Sequence, residues 1–132
     1  MTIAPVVEIF NSNPELLEML KARLEESGFI ALTLDPARVR AGLAVEAIAD
    51  QHRPAVVVYD VAFPYDRNWR LFQHVRETSA GAKFVITTPN ASGVAALAKP
   101  ADRVIEMGGD LAANLDVIVR AAREAISGST DG

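Results

Sequence analysis

Short apolar runs alternate with amphipathic segments along the whole chain. The run at 54–59 is apolar throughout and ends at Asp60, which is typical of a strand that is covered on both faces and central in its sheet. It predicts a strand at 54–60. Further runs rich in β-branched residues predict strands at 6–10, 29–34, 82–87 and 103–107. Strands that alternate with helical segments predict an α/β domain with a parallel sheet.

The first helix has a clear start. Asn13, Pro14 and Glu15 supply a capping amide, a proline at the first helical position and an acid in the first turn. The apolar stripe of this helix consists of Leu17, Leu20 and Leu24. These leucines recur at helical spacing, so the segment is predicted to pack one face on the sheet.

Four more helices are predicted, giving five in all. We expect them over 35–52, around 69–76, as a short turn within 90–99, and after Asp110. The buried stripe of the second would consist of Val39, Leu43 and Ile48. In the third, Trp69 and Phe72 are expected in the core. The buried stripe of the last would consist of Leu111, Leu115, Ile118, Ala122 and Ile126.

The outward face of the final helix is unusually apolar. Its positions are Ala112, Ala113, Val117 and Ala121. Small apolar side chains allow another helix to approach closely, so this face is a candidate partner surface. Alanine is also the strongest helix former, and helix propensity alone would explain its use here.

Composition and charge limit the classes of function. The 132 residues, 50% hydrophobic and 23% charged, fit one domain, expected at 1–126 with 127–132 as a flexible tail or the start of a linker. Cysteine is absent, so Cys-based metal and redox sites are excluded. A net charge of -4 disfavours a broad nucleic-acid or membrane surface, and no apolar run approaches the ~20 residues of a membrane span. We therefore expect a cytoplasmic protein without direct nucleic-acid or membrane contact.

The candidate chemistry lies where the predicted strands end. Parallel strands bring their carboxyl ends to one edge of the sheet, where ligands of such sheets bind. The side chains at these ends are Asn11, Ser12, Asp60, Thr87, Thr88 and Met107. Asp60 is the only acid among them, although an acid there can also simply cap the following turn.

Several segments resemble the receiver domain of two-component response regulators, and together they cover nearly the whole chain. They are NPELL at 13–17, VVVYDVAFP at 56–64, the pattern at 71–76, and Ile86 with Thr87. The resemblance implies a flavodoxin-like fold, in which a doubly wound five-stranded parallel sheet of order 2-1-3-4-5 is flanked by five helices. It also implies that Asp60 is the phosphoacceptor, that Thr87 supplies the hydroxyl that binds the phosphoryl group, and that Thr88 holds the usually small gate position.

The chain departs from the family pattern at the positions that handle charge. Asn11 and Ser12 replace the acidic pair that holds Mg²⁺, and Met107 replaces the lysine after the fifth strand. Magnesium prefers oxygen ligands that include one or two carboxylates, and phosphoryl transfer depends on charge neutralisation. We therefore predict that Asp60 is phosphorylated weakly or not at all. No cofactor is expected, and Mg²⁺ would bind Asp60 weakly at most.

The predicted loop at 65–68 offers one substitute cation. Arg67 could reach Asp60 and supply the charge that Met107 does not, or it could be a solvated loop residue. Asn68 stands at the usual glycine position, and asparagine tolerates a positive φ better than most residues.

The resemblance implies a function in protein contacts. Partners would be a histidine kinase, an output domain, another signalling protein, or a second copy bound through the fourth helix, fifth strand and fifth helix. The candidate partner residues are Tyr65, Val104, Ala113 and Val117. Two alternatives stay open: an unconventional receiver still phosphorylated on Asp60, and a small flavodoxin-like ligand-binding domain or enzyme. The second alternative, as a ligand-binding domain or an enzyme, is disfavoured because the sequence contains no Gly-rich phosphate loop and no nucleophile with a base and an orienting group.

Overall fold

Five parallel strands form one sheet in the order β2-β1-β3-β4-β5 in the computed structural model, which describes residues 4–40, 45–62 and 65–128. The strands are β1 (Val6–Phe10), β2 (Ile30–Leu34), β3 (Val56–Asp60), β4 (Lys83–Thr88) and β5 (Arg103–Glu106). The predicted sheet order and the central position of the 54–60 strand are confirmed.

Helical segments connect the strands. In the described ranges they are α1 (Pro14–Glu26), α2 (Pro36–Arg40), α3 (Val45–His52), α4 (Tyr65–Thr78), α5 (Ala91–Ala95) and α6 (Leu111–Gly128). The second predicted helix corresponds to both α2 and α3, and its expected core residue Leu43 lies outside the described residues, as do Phe63 and Pro64. No helix in the described part of the chain is long and apolar enough to cross a membrane.

The sheet is covered on both faces, as the unbroken apolar character of β3 predicts. Val56 and Val58 belong to one buried cluster, with α1 and α6, and we call this side the first face. Val57 and Tyr59 belong to the other cluster, on the second face, which α3, α4 and α5 cover. Alternate residues of each strand therefore enter opposite cores.

The start of α1 follows its sequence signals. The Asn13 side chain accepts hydrogen bonds from the backbone N–H groups of Glu15, at 3.1 Å, and Leu16, at 3.3 Å. These bonds satisfy donors that have no partner inside the helix. The buried side of α1 consists of Leu16, Leu17, Leu20 and Leu24, which includes the predicted stripe.

The start of α4 corrects one sequence prediction. Residues 65–68 belong to the helix and not to a loop, and Asn68 is buried. Its Nδ2 donates a hydrogen bond of 2.7 Å to the Ala62 carbonyl oxygen. Arg53 is the only described non-glycine residue with a positive φ. Asn68 therefore fixes the chain before the helix through its amide group, and no left-handed turn is needed.

The orientation of α6 corrects a second sequence prediction. Ala121, predicted to face outward, is only 2% exposed, and Val117 is half-buried against the first-face core. Leu111, predicted to be buried, is 42% exposed. Because α6 packs on β3 and β4 and also on α1, a wider arc of its surface is covered than a single stripe provides. The helix also extends two residues beyond the predicted end at residue 126.

Candidate functional site

Asp60 and Thr87 form a pair at the carboxyl edge of the sheet. They lie opposite each other where β3 pairs with β4. The Thr87 hydroxyl donates a hydrogen bond of 2.7 Å to Asp60 Oδ1. Thr87 is buried, and its carbonyl oxygen accepts a 2.8 Å bond from the Val61 N–H, which fixes the chain directly after Asp60. The parallel register thus holds the carboxyl and hydroxyl groups together.

The electrostatic environment of Asp60 favours its neutral form. Burial raises the pKa of this carboxyl group above its ordinary value, and the hydrogen bond from Thr87 offsets part of the increase. No ion pair to Asp60 occurs within 4–40, 45–62 or 65–128. Among the described residues, a charged Asp60 is therefore stabilised by the Thr87 hydroxyl dipole and by no ion pair.

The first strand ends beside this pair. Phe10 pairs with Tyr59, so Asn11 and Asp60 leave adjacent strands at the same edge. Asn11 is buried, and its Oδ1 accepts a 2.8 Å hydrogen bond from the Asn13 N–H. Ser12 is exposed. The amide oxygen that replaces a carboxylate is thus already engaged in holding the loop before α1.

Thr88 and Met107 fill structural roles at this edge. The Thr88 side chain is fully buried, and its hydroxyl accepts a 3.1 Å bond from the Asn90 N–H. The Met107 N–H donates to the Thr88 carbonyl oxygen at 2.9 Å, and the Met107 side chain is half-buried against the first-face core. Asn114 closes the following turn with bonds of 3.1 Å and 2.9 Å to the N–H and carbonyl groups of Gly108. Where the resemblance places an ammonium group, the chain has a packed thioether.

Arg67 does not pair with Asp60. It is exposed on α4, and it makes no hydrogen bond or ion pair with any residue whose structure is described. The proposed substitution of Arg67 for the missing lysine thus has no support from the geometry.

Around Asp60, the described ends of β1 and β3 supply few of the ligands that Mg²⁺ prefers. Asp60 is the carboxylate there, Asn11 contributes an amide oxygen that is already bonded, and Ser12 contributes a hydroxyl. Searching the described ranges finds no group of three or more His, Cys, Asp and Glu that could hold a metal ion. A single carboxylate with neutral oxygens fits a divalent ion poorly.

Comparison with known proteins shows which solved structures have a similar fold. No protein-family model and no curated protein matches the sequence. A response regulator receiver protein from Sinorhizobium medicae matches with a TM-score of 0.66 over 94% of this chain and 95% of its own, at 17% identity. The Thermotoga maritima response regulator protein TrrA, in complex with Mg²⁺ and BeF, matches with 0.64 over 92% and 98%, at 16% identity. A Burkholderia pseudomallei response regulator protein with a phosphorylated aspartic acid and a calcium ion matches with 0.64 over 96% and 72%, at 14% identity.

This chain has the receiver fold. The resemblance in sequence and the likeness in structure therefore agree on the sheet order and on the doubly wound arrangement. Asp60 is the last residue of β3, and Thr87 is the last but one of β4, so both lie at the carboxyl edge of this sheet.

The predicted partner residues do not share one exposed face of this receiver fold. Tyr65 and Val104 are half-buried against the second-face core, whereas Val117 packs against the first-face core. Ala113 is exposed, and its N–H donates to the Asp110 carboxylate at the start of α6. Of the four, Ala113 is exposed and the other three are half-buried.

Glu8 is a buried acid that the sequence analysis overlooked. It lies in the middle of β1 between Leu32 and Val57 of the neighbouring strands, and its side chain is fully buried. Neither carboxyl oxygen has a hydrogen-bond partner among the described residues. Burial raises the pKa of Glu8 from 4.5 to about 7. Both faces of β1 are covered in the structure, so an acid inside this strand is buried whichever way it points.

Proposed function

We propose that this protein is an atypical receiver-like signalling module of a two-component phosphorelay, which acts through protein contacts rather than catalysis. The observation that supports the proposal is the Asp60–Thr87 pair, which keeps the carboxyl and hydroxyl groups of a receiver site at hydrogen-bond distance. The charges that would activate that site are replaced by Asn11, Ser12 and Met107.

Weak or absent Mg²⁺-dependent phosphorylation of Asp60 follows from the missing charges. Two unit charges about 4 Å apart interact with ~4 kcal/mol at an effective dielectric constant of 20. Without two carboxylates, a divalent ion loses several kcal/mol even after their desolvation is credited, which corresponds to ~100-fold or more in affinity. Without the metal and an ammonium group, the charge that develops during phosphoryl transfer has little to stabilise it.

The alternative is an unconventional receiver in which Asp60 is still phosphorylated. The relatives described with Mg²⁺ and BeF and with a phosphorylated aspartic acid motivate a direct test. We would incubate the protein with acetyl phosphate, with and without Mg²⁺, and measure the intact mass. Asp60→Asn removes the candidate acceptor, and Asp35→Asn is the matched control because Asp35 is another carboxylate at the end of a strand.

We expect little or no gain of a phosphoryl group by the wild-type chain. A stoichiometric gain, with or without Mg²⁺, that is lost in Asp60→Asn and persists in Asp35→Asn would contradict the proposal and establish the alternative.

The partner would be a histidine kinase, an output domain, or a second copy of this chain. The exposed start of α6, with Leu111, Ala112 and Ala113, offers a small apolar contact surface. For the second copy, we expect sedimentation to show concentration-dependent association that Ala113→Glu weakens. Ala22→Glu is the control, because Ala22 is an exposed alanine on α1. A chain that stays monomeric at all concentrations contradicts the homodimer.

A further inference from the structure

A cleft of about 540 Å³ lies between α4 and α5, beside the carboxyl edge of the sheet. Its buried floor is formed by Val61, directly after Asp60, and by Val94 of α5. α5 packs on β4 and β5, and both Val94 of α5 and Trp69 of α4 belong to the second-face core. The cleft therefore lies over this core, between the two helices that border it.

Two aromatic side chains form the α4 wall of the cleft. Tyr65 and Trp69, one helical turn apart, both line it and are half-buried against the second-face core. The Trp69 ring packs on Phe72 with 5.0 Å between ring centroids, which holds the indole in place. Aromatic rings fixed in this way offer flat surfaces on which another ring can stack.

The side of the cleft opposite Tyr65 and Trp69 is apolar. Leu97 lines the cleft with 60% of its surface exposed. Gly93 also lines it, and a Cβ atom there would lie 2.8 Å from Asn90 Nδ2. The absence of a side chain at Gly93 lets Asn90 fold back over the start of α5, where its Oδ1 accepts from the Gly93 N–H at 3.3 Å.

Two charged side chains lie at the rim of the cleft. Asp66 and Arg70 are exposed, lie four residues apart on α4, and line the cleft on its solvent side. Within the portion of the chain that the structure covers, neither makes a hydrogen bond or an ion pair. A ligand with a polar edge could therefore bond to a carboxylate, a guanidinium group or both.

We propose that this cleft binds a flat aromatic small molecule with a polar edge. Its volume lies within the ~300–1,000 Å³ of small-molecule sites, and its mainly apolar lining with a few polar groups is typical of them. A stable protein partner would need about 800 Å² of surface on each side, which a cleft only some two helical turns long does not provide by itself. The inference is separate from the proposed chemistry at Asp60, and it stands if that chemistry fails.

The single tryptophan of the chain reports on the site directly, because Trp69 is in its wall. We would titrate the full chain with 8-anilinonaphthalene-1-sulfonate and, separately, with N-phenyl-1-naphthylamine, which has the same rings without the sulfonate. We expect saturable 1:1 binding of both, with quenching of Trp69 emission by energy transfer. Tighter binding of the sulfonate would assign the polar contact to Arg70, and Arg70→Ala should then remove that difference.

Leu97→Glu places a charge in the cleft at an exposed position, so the fold should tolerate it. We expect about tenfold weaker binding of the neutral probe, from the lost apolar contact. Leu111→Glu changes the exposed leucine of α6 and should leave affinity unchanged. Circular dichroism would verify that each variant is folded. The proposal is overturned if the binding of the probes does not saturate. It is also overturned if the Leu97→Glu and Leu111→Glu variants bind the neutral probe with equal affinity.

Discussion

The buried carboxyl group of Glu8 makes the stability of this protein depend on pH, and Glu8→Gln should remove that dependence. The carboxyl group is fully buried on β1, without a hydrogen-bond partner for either oxygen among the described residues. Burial favours the neutral acid and raises its pKa from 4.5 to about 7. The neutral glutamine amide has nearly the same shape and does not titrate in this range.

The sign and size of the effect follow from the two pKa values. Below pH 4.5 the acid is neutral in both the folded and the unfolded chain. Between 4.5 and about 7 the folded protein keeps the proton and the unfolded chain releases it, so the free energy of unfolding falls as pH rises. At about 1.4 kcal/mol per pKa unit, the loss reaches about 3 kcal/mol once the folded carboxyl group is also ionised.

Urea unfolding followed by Trp69 fluorescence at several pH values measures this loss. We expect the free energies of unfolding of wild type and Glu8→Gln to be similar near pH 4.5 and to differ by about 3 kcal/mol near pH 8.5, with the variant more stable. The difference isolates Glu8 from Asp60, whose raised pKa acts in the same direction. Glu18→Gln, at an exposed glutamate of α1, should follow wild type within about 0.5 kcal/mol. A constant offset between wild type and Glu8→Gln at all pH values would refute the reasoning.

Two further substitutions test other buried polar contacts. Arg76 pairs with the nearly buried Asp102 and lies over the Phe72 ring, 4.6 Å from its centroid. Arg76→Ala should therefore lower the free energy of unfolding in urea by about 3 kcal/mol. Arg76→Lys keeps the charge but lacks the planar guanidinium group, so it should lose less. If neither variant loses stability, the Arg76–Asp102 pair does not stabilise the fold. Thr87→Val removes the hydroxyl that lowers the pKa of Asp60. An NMR titration of the carboxyl group should therefore show a higher pKa for Asp60 than in wild type. An unchanged midpoint would mean that the hydrogen bond does not form in solution.

The elements of the fold could be predicted from local sequence because their signals are short in range. The cap of α1 at Asn13 is satisfied by N–H groups two and three residues away. The apolar run of β3 indicates two covered faces, which is typical of a strand inside a parallel sheet. The position of Asp60 beside Thr87 was also predictable, because the ends of neighbouring parallel strands meet at one edge.

Other features depend on contacts that no local pattern specifies. Asn68 has the composition of a turn residue, yet its amide bonds the carbonyl of Ala62, and residues 65–68 are helical. Ala121 is small enough for either side of a helix, and the packing of α6 against α1 decides that it is buried. The sequence predicts Arg67 in a loop, whereas it lies exposed on α4 and makes no ion pair with a described residue.

The sequence by itself determined the order of strands and helices and the two-sided core, because periodicity encodes them directly, and its resemblance to receiver domains indicated the loss of charged groups around Asp60. Only the tertiary structure decided which polar groups lie inside that core and which helices leave a gap. Glu8 is buried because elements distant in sequence cover both faces of β1, and the cleft beside Trp69 lies between α4 and α5, which β4 separates in the chain. Burial and concavity arise from the joint placement of several elements, and no single segment carries that information.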